Sequence, residues 1–284
     1  MHRSLHHGAS VEFAEHKEYA PGDELRHIDW RAYGRIDKYY VKRFEEETEL
    51  RGYLLLDTSG SMGYAAAGRP SKLDHGKLLC AALGYLLLRQ KDQAGVLAFA
   101  ADVGAYLPPR GHGAHLADLC QRLQALQAPP GGATDLPRAL AFLSEVARRR
   151  ALVVVVSDLL PPPGEGDPAL LAEHLSRLRA LLSGLRARRH DVVVLQVLDP
   201  DELDLPFEGS NWFEDLEPGG AGRLLVDPAD VRRIYRDEVQ AFLAQVKRSL
   251  QENDVEYRLT LTSEPPQDAL LDLLRGPLRG KLRR

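Results

Sequence analysis

Three apolar runs in this chain each end in an aspartate, and that pattern constrains the fold more than any other feature. Tyr53-Leu54-Leu55-Leu56 runs into Asp57, the stretch Leu152 to Val156 into Ser157-Asp158, and Val192 to Leu198 into Asp199. A run without polar alternation suits a strand covered on both faces, as in a parallel sheet. Helical patterns separate the runs. Leu73, Leu79, Leu83 and Leu87 mark one face of a helix that opens at Ser71 and reaches about Gln90. Further helices fit His115 to Leu126, a segment opening at Thr134-Asp135 with Pro137 in its first turn, Pro168 to Arg188, and Asp227 to about Glu252. Ala94 to Phe99 is another strand, with Val103 to Leu107 returning beside it as a hairpin, and Val255 to Leu261 is the last. Such alternation predicts an α/β fold: a doubly wound, mostly parallel sheet with one antiparallel edge hairpin.

The flanks read differently. Residues 1–50 carry Phe13, Tyr19, Trp30, Tyr33, Tyr39, Tyr40 and Phe44 among many charges and no long apolar run. They are expected to form an extension of short strands and turns, packed on a main domain over 51–264. Pro21-Gly22-Asp23 signals a turn, and 38–46 an extended strand. Residues at about 199–222 read as an irregular, acidic insertion, followed by a small strand over 223–226. A short helix (267–274) and a basic tail, with Arg279, Lys281, Arg283 and Arg284, occupy 265–284.

Composition excludes several classes. The net charge of −4 offers no global basic field for nucleic acid. The most apolar stretch, 78–88, is shorter than the roughly 18 to 20 residues of a membrane span, and the polar, His-rich opening is not a secretory signal. A cytoplasmic location is therefore expected. Cys80 and Cys120 lack metal-ligand spacing and read as small core residues in a reducing compartment. His2, His6 and His7 read as a disordered terminus. There is no Gly-rich loop ending in Lys-Ser/Thr and no Gly-x-Ser-x-Gly elbow.

In open α/β sheets, ligands bind outside the carboxyl ends of the strands. There Asp57, Ser59 and Ser61 recur at every second position, and a chain turning at a strand end aims such groups at a common point. Thr134, in a Gly-rich loop, and Asp158, at the end of the valine strand, are expected on the same rim. One or two carboxylates plus hydroxyls suit a hard divalent cation, Mg²⁺ first, with Mn²⁺ or Ca²⁺ as alternatives. Each residue also has a plainer reading. Asp57, Ser59 and Ser61 suit a helix cap with turn hydroxyls, Thr134 a helix cap, and Asp158 and Asp199 strand-end turns.

The run Leu54-Leu55-Leu56-Asp57-Thr58-Ser59-Gly60-Ser61-Met62 resembles the Asp-x-Ser-x-Ser motif of von Willebrand factor A-like domains, whose fold is of Rossmann type. Thr134 and Ser157-Asp158 fall where that family places its later threonine and aspartate. The upstream segment from Glu18 to Ala32, with Pro21-Gly22-Asp23-Glu24-Leu25-Arg26-His27-Ile28-Asp29-Trp30, resembles the hallmark of the bacterial family called domain of unknown function 58. Together the likeness covers roughly residues 11–261. It implies a metal-ion-dependent adhesion site on Asp57, Ser59, Ser61, Thr134 and Asp158. The cation's open position would take an Asp or Glu carboxylate from a protein partner. It further implies a MoxR-type AAA+ ATPase as partner in chaperone-like maturation or assembly of protein complexes.

The expected function is thus a non-enzymatic, metal-dependent interaction module. One alternative is a phosphatase or phosphotransferase of haloacid-dehalogenase type with Asp57 as nucleophile. That enzyme class wants an acid where Ser59 stands and a lysine near the last acidic pair, and no lysine neighbours Asp158 in sequence. The other alternative is a structural scaffold without bound metal. Asp23, Arg26, Asp29 and Trp30 read as ties holding the N-terminal segment in place, with a partner surface as the competing role.

Overall fold

The computed structural model describes residues 11–21, 25, 28–46, 49–160, 168–217 and 222–276. The turn at Gly22-Asp23, Arg26, the proline loop 161–164, the terminal histidines and the basic tail lie outside them. The chain divides into two compact units, Met1–Glu49 and Leu50–Arg284.

In the first unit β1 (Val11–Glu18) pairs antiparallel with β2 (Tyr40–Glu46), with a register shift between Phe13 and Glu15. Between them lies a helix that hydrophobic periodicity does not reveal, α1 (Trp30–Ile36), in which no side chain is fully buried. Its start is set by a cap: the Asp29 carboxylate accepts from the backbone N–H groups of Arg31 and Ala32 at 3.0 and 3.2 Å. Trp30 stays exposed and meets Tyr33 and Tyr39 edge-on, while those two tyrosine rings stack with centroids 4.5 Å apart.

The second unit is the sheet protein. In chain order it comprises β3 (Arg51–Asp57), α2 (Lys72–Arg89), β4 (Gln93–Phe99), β5 (Val103–Arg110), α3 (His115–Ala125), α4 (Leu136–Val146), β6 (Ala151–Ser157), α5 (Pro168–Ala187) and β7 (Asp191–Leu198). After these come α6 (Pro200–Asp204), β8 (Asn211–Glu214), β9 (Arg223–Val226), α7 (Pro228–Gln251), β10 (Glu256–Leu261) and α8 (Pro266–Arg275). The main sheet has the order β10-β7-β6-β3-β4-β5. Every pair is parallel except β4–β5, the antiparallel edge hairpin.

The apolar runs are buried on both faces because helices cover both. Leu54, Leu56, Val154 and Val156 pack on one side with Leu79, Leu83 and Leu87 of α2. Tyr53, Leu55, Val153 and Val155 pack on the other with Leu140 of α4 and Leu178 of α5. The last helix belongs to this core as well: Ala269, Leu270 and Leu273 join the α2 side. Cys80 is buried there, and burial pushes its thiol up to about 12. Cys120, expected inside, is exposed, because α3 turns Leu119 and Leu123 inward instead.

The segment read as irregular contains two short elements. It opens with α6 and continues into an antiparallel hairpin, β8–β9, on which Trp212, Leu224 and Leu225 are exposed. No helix among the described residues is long and apolar enough to cross a membrane.

The β4–β5 edge is a close backbone approach. A Cβ on Gly95 would lie 2.6 Å from both the carbonyl oxygen of Leu107 and the nitrogen of Pro109. Replacing Gly95 by Ala is therefore expected to destabilise the chain by about 1–3 kcal/mol. A urea midpoint equal to that of the native chain would show that the edge yields without cost.

Candidate functional site

Strand order places the site. The chain leaves β3 toward β4 on one side and later returns as β6 on the other, so β3 and β6 flank a switch point. Crevices open at such points beyond the carboxyl ends of the strands. Asp57 ends β3 there, and Ser157 ends β6, with Asp158 following it.

Asp57 is fully buried, and three elements supply its hydrogen bonds. The backbone N–H of Ser59 donates to Oδ1 at 2.9 Å. The hydroxyls of Ser157 and Thr134 donate to Oδ2 at 2.7 and 3.1 Å. Thr134 is free for this because its neighbour does the capping: Asp135 is the N-cap of α4, accepting from the Arg138 N–H at 3.0 Å. Ser59 and Ser61 lie with their hydroxyls 3.1 Å apart. Asp57, Ser59, Ser61 and Thr134 are thus brought together.

Asp158 is placed differently. It is buried, its Oδ1 accepts from the Leu160 N–H at 3.2 Å, and its Oδ2 takes the ammonium of Lys72 at 2.8 Å. Lys72, in the first turn of α2, is also fully buried and reaches Glu202 of α6 at 2.5 Å. Burial pulls the lysine pKa down, but the Asp158 and Glu202 carboxylates outweigh it and hold the group above its ordinary value. The expectation of no lysine near Asp158 holds along the chain and fails in space. A second cluster adjoins it. Asp199 caps α6, and Arg69 and Thr262 bond its carboxylate, Arg69 also reaching Asp201.

The excursion after β7 contributes a further group. Glu217 is buried, and its Oε1 accepts from the Ser61 hydroxyl at 2.9 Å, while its Oε2 has no hydrogen-bond partner among the described residues. Its backbone is seated on the motif loop. The Leu216 carbonyl accepts from the Gly131 N–H at 2.9 Å, and a Cβ on Gly60 would lie 2.0 Å from that same oxygen. Gly60 donates its own N–H to the Gly132 carbonyl at 2.7 Å. Only a glycine at this place in the motif lets the three segments close together.

Asp57 and Glu217 are short of positive charge. Burial first, then repulsion from Asp158, pushes Asp57 up to about 6. Burial, with repulsion from Asp158 and Asp57, pushes Glu217 up to about 7 against the hydrogen bond from Ser61. Among the described residues no three His, Cys, Asp or Glu side chains are arranged to hold a metal by themselves. The donor set here is mixed, with hydroxyls between the carboxylates.

The comparisons agree with this architecture. The chain belongs to the family described as "Protein of unknown function DUF58", whose model matches residues 15–244. An uncharacterized protein of Mycobacterium tuberculosis is 29% identical over 250 residues, covering 88% of this chain and 74% of its own length. One from Mycobacterium avium is 29% identical over 149 residues, covering 52% of this chain and 78% of its own. Among solved structures, an aerotolerance-related membrane protein from Bacteroides fragilis superposes with a TM-score of 0.52 at 19% identity, covering 80% of this chain and 97% of that one. The SpRpn10 VWA domain gives 0.43 at 10% identity, with 81% and 97% covered.

Two outcomes follow from the electrostatics. Asp57 and Glu217 hold protons to higher pH in the folded chain than in the unfolded one, so stability is greatest below the unfolded-state values and falls as pH rises through about 6 to 7. A shift of about two units at Asp57 corresponds to roughly 3 kcal/mol. Urea midpoints in EDTA are expected to drop between about pH 5 and pH 8, and less steeply for Asp57→Asn; equal slopes for the two chains would refute the assignment. Replacing Lys72 by Met leaves the buried Asp158 and the partly buried Glu202 without a counter-charge. A loss of about 3–5 kcal/mol is expected in denaturant titration, and a loss within error would mean that water reaches the pair.

Proposed function

We propose that this chain is a non-enzymatic protein-interaction module that docks partners through one divalent cation, Mg²⁺ foremost, with Mn²⁺ or Ca²⁺ able to replace it. The observation that carries this reading is the convergence of Asp57, Ser59, Ser61 and Thr134 on one point of the rim, where, among the described residues, hydroxyls and a backbone amide are the donors to Asp57 and Glu217. The unpartnered, buried Oε2 of Glu217 fits a hard cation as well, since a buried oxygen without a donor is costly. Asp57, Ser59, Ser61 and Thr134 would hold the ion, directly or through water. Asp158, committed to Lys72 on one oxygen, would add to the field from behind. The ion would supply Lewis acidity toward a carboxylate ligand.

The partner this site suits is a protein presenting Asp or Glu, and membership in the family points to a MoxR-type AAA+ ATPase, with a role in maturing or assembling complexes in the cytoplasm. Lys72 beside Asp158 speaks for the phosphoryl-transfer alternative. Ser59, in the place where that chemistry needs an acid, speaks against it.

Calorimetric titration of the full chain with Mg²⁺ tests the reading. Saturable binding is expected, lost in Asp57→Ala while the far-ultraviolet spectrum stays native, and capture of a purified MoxR-type ATPase is expected to stop in EDTA. Absence of Mg²⁺ and Mn²⁺ binding at millimolar metal would leave a structural scaffold, and turnover of a phosphoryl substrate that Asp57→Asn abolishes would leave an enzyme.

A further inference from the structure

The position at the rim that a partner's carboxylate would take already has a carboxylate beside it, supplied by the chain itself. Glu217 reaches the motif from the excursion between β7 and α7, and Ser61 holds one of its oxygens. The other oxygen is buried and unpartnered, beside the carboxylates of Asp57 and Asp158 whose repulsion it feels. A carboxylate in water keeps both oxygens solvated, so a buried oxygen with no donor among the described residues is costly, and a cation would relieve it.

The approach is also built rather than incidental. The Asp215 carboxylate accepts from the Glu217 N–H at 3.0 Å and turns the strap toward the rim. The Leu216 carbonyl then rests on Gly60, where any Cβ would collide with it, and is tied by the N–H of Gly131 in the loop that also carries Thr134. The motif loop and the loop before α4 therefore both hold the same short strap.

We propose that Glu217 is a cis ligand: it fills the cation's open position with a carboxylate from this chain, so that a partner's carboxylate binds only by displacing the strap 215–217. This rests on the cation reading given above and turns the site from one that is always open into one that is guarded. Two ligands of the same chemistry compete, one tethered and one free. The tethered one has the advantage of a high local concentration, and a partner wins only with further contacts of its own.

The test uses Mn²⁺ on the full chain, with water-proton relaxation to count exchangeable waters on the bound ion and acetate as the free carboxylate. Glu217→Ala is expected to add one exchangeable water to bound Mn²⁺. Acetate should then remove that water in the variant and have no effect on the native chain. Gly60→Ala, which keeps every ligand side chain but evicts the Leu216 carbonyl, is expected to behave like Glu217→Ala. If Mn²⁺ binds and the native and Glu217→Ala chains carry the same waters and the same acetate response, the cis ligand is refuted and the cation reading survives. If the native chain binds no Mn²⁺, the cation reading falls and takes this proposal with it.

Discussion

The burial of Asp57 at the switch point between β3 and β6 is the constraint around which the rest of this domain is arranged. A carboxylate with no exposed surface must draw its hydrogen bonds from the protein, and here they come from the motif loop, from the end of β6 and from the loop before α4. Those three segments are held in register by one another through that side chain. The strands beneath them have no such freedom. They are apolar on both faces and clamped between two helical layers, so the polar rim is the part of the sheet whose arrangement chemistry decides.

Two carboxylate problems arise side by side, and the chain solves them in different ways. Asp158 and Glu202 receive a buried lysine. The arrangement spends a costly ammonium burial to keep α6 against the end of β6, and its value is positional more than energetic. Asp57 and Glu217 receive hydroxyls and a backbone amide but no positive group among the described residues, and burial, with repulsion between the carboxylates, raises their pKa values. The same rim thus holds one carboxylate pair neutralised by a buried ammonium and one held by hydroxyls and a backbone amide.

Much of this was legible in the sequence, for reasons that also explain the rest. Runs such as Val153-Val154-Val155-Val156 carry their own fold information, because a strand buried on both faces tolerates little else, and the aspartates that end them mark the rim. Asp57, Ser59 and Ser61 were readable because their spacing is local. Thr134 and Asp135 are both good cap residues, and only the position of Asp57 decides which one caps. Lys72 looked like an ordinary residue in a helix's first turn, although its partner lies 86 residues away. Its one readable trace is a charged residue beside buried Leu73. Glu217 is 156 residues from Ser61, in a stretch rich in Asp, Glu, Gly and Pro, where one more glutamate carries no signal. Helix α1 escaped because a cap and aromatic contacts hold it, not an apolar face.

The excursion after β7 changes meaning once these contacts are considered together. Its first turn is pinned through Asp199 and Asp201 by Arg69 and through Glu202 by Lys72, and Arg69 and Lys72 lie just before and at the start of α2. Its far end returns to the motif loop through Leu216 and Glu217. The same span therefore touches the rim twice: by an ion-pair cluster that is costly to break, and by one backbone hydrogen bond and one hydroxyl. A backbone hydrogen bond contributes about 1 kcal/mol and one to a carboxylate about 1.5–3 kcal/mol, whereas breaking a buried ion pair costs about 3–5 kcal/mol. The unequal strengths give the segment a direction, with α6 as its anchor and the strap bearing Glu217 as the end that lets go.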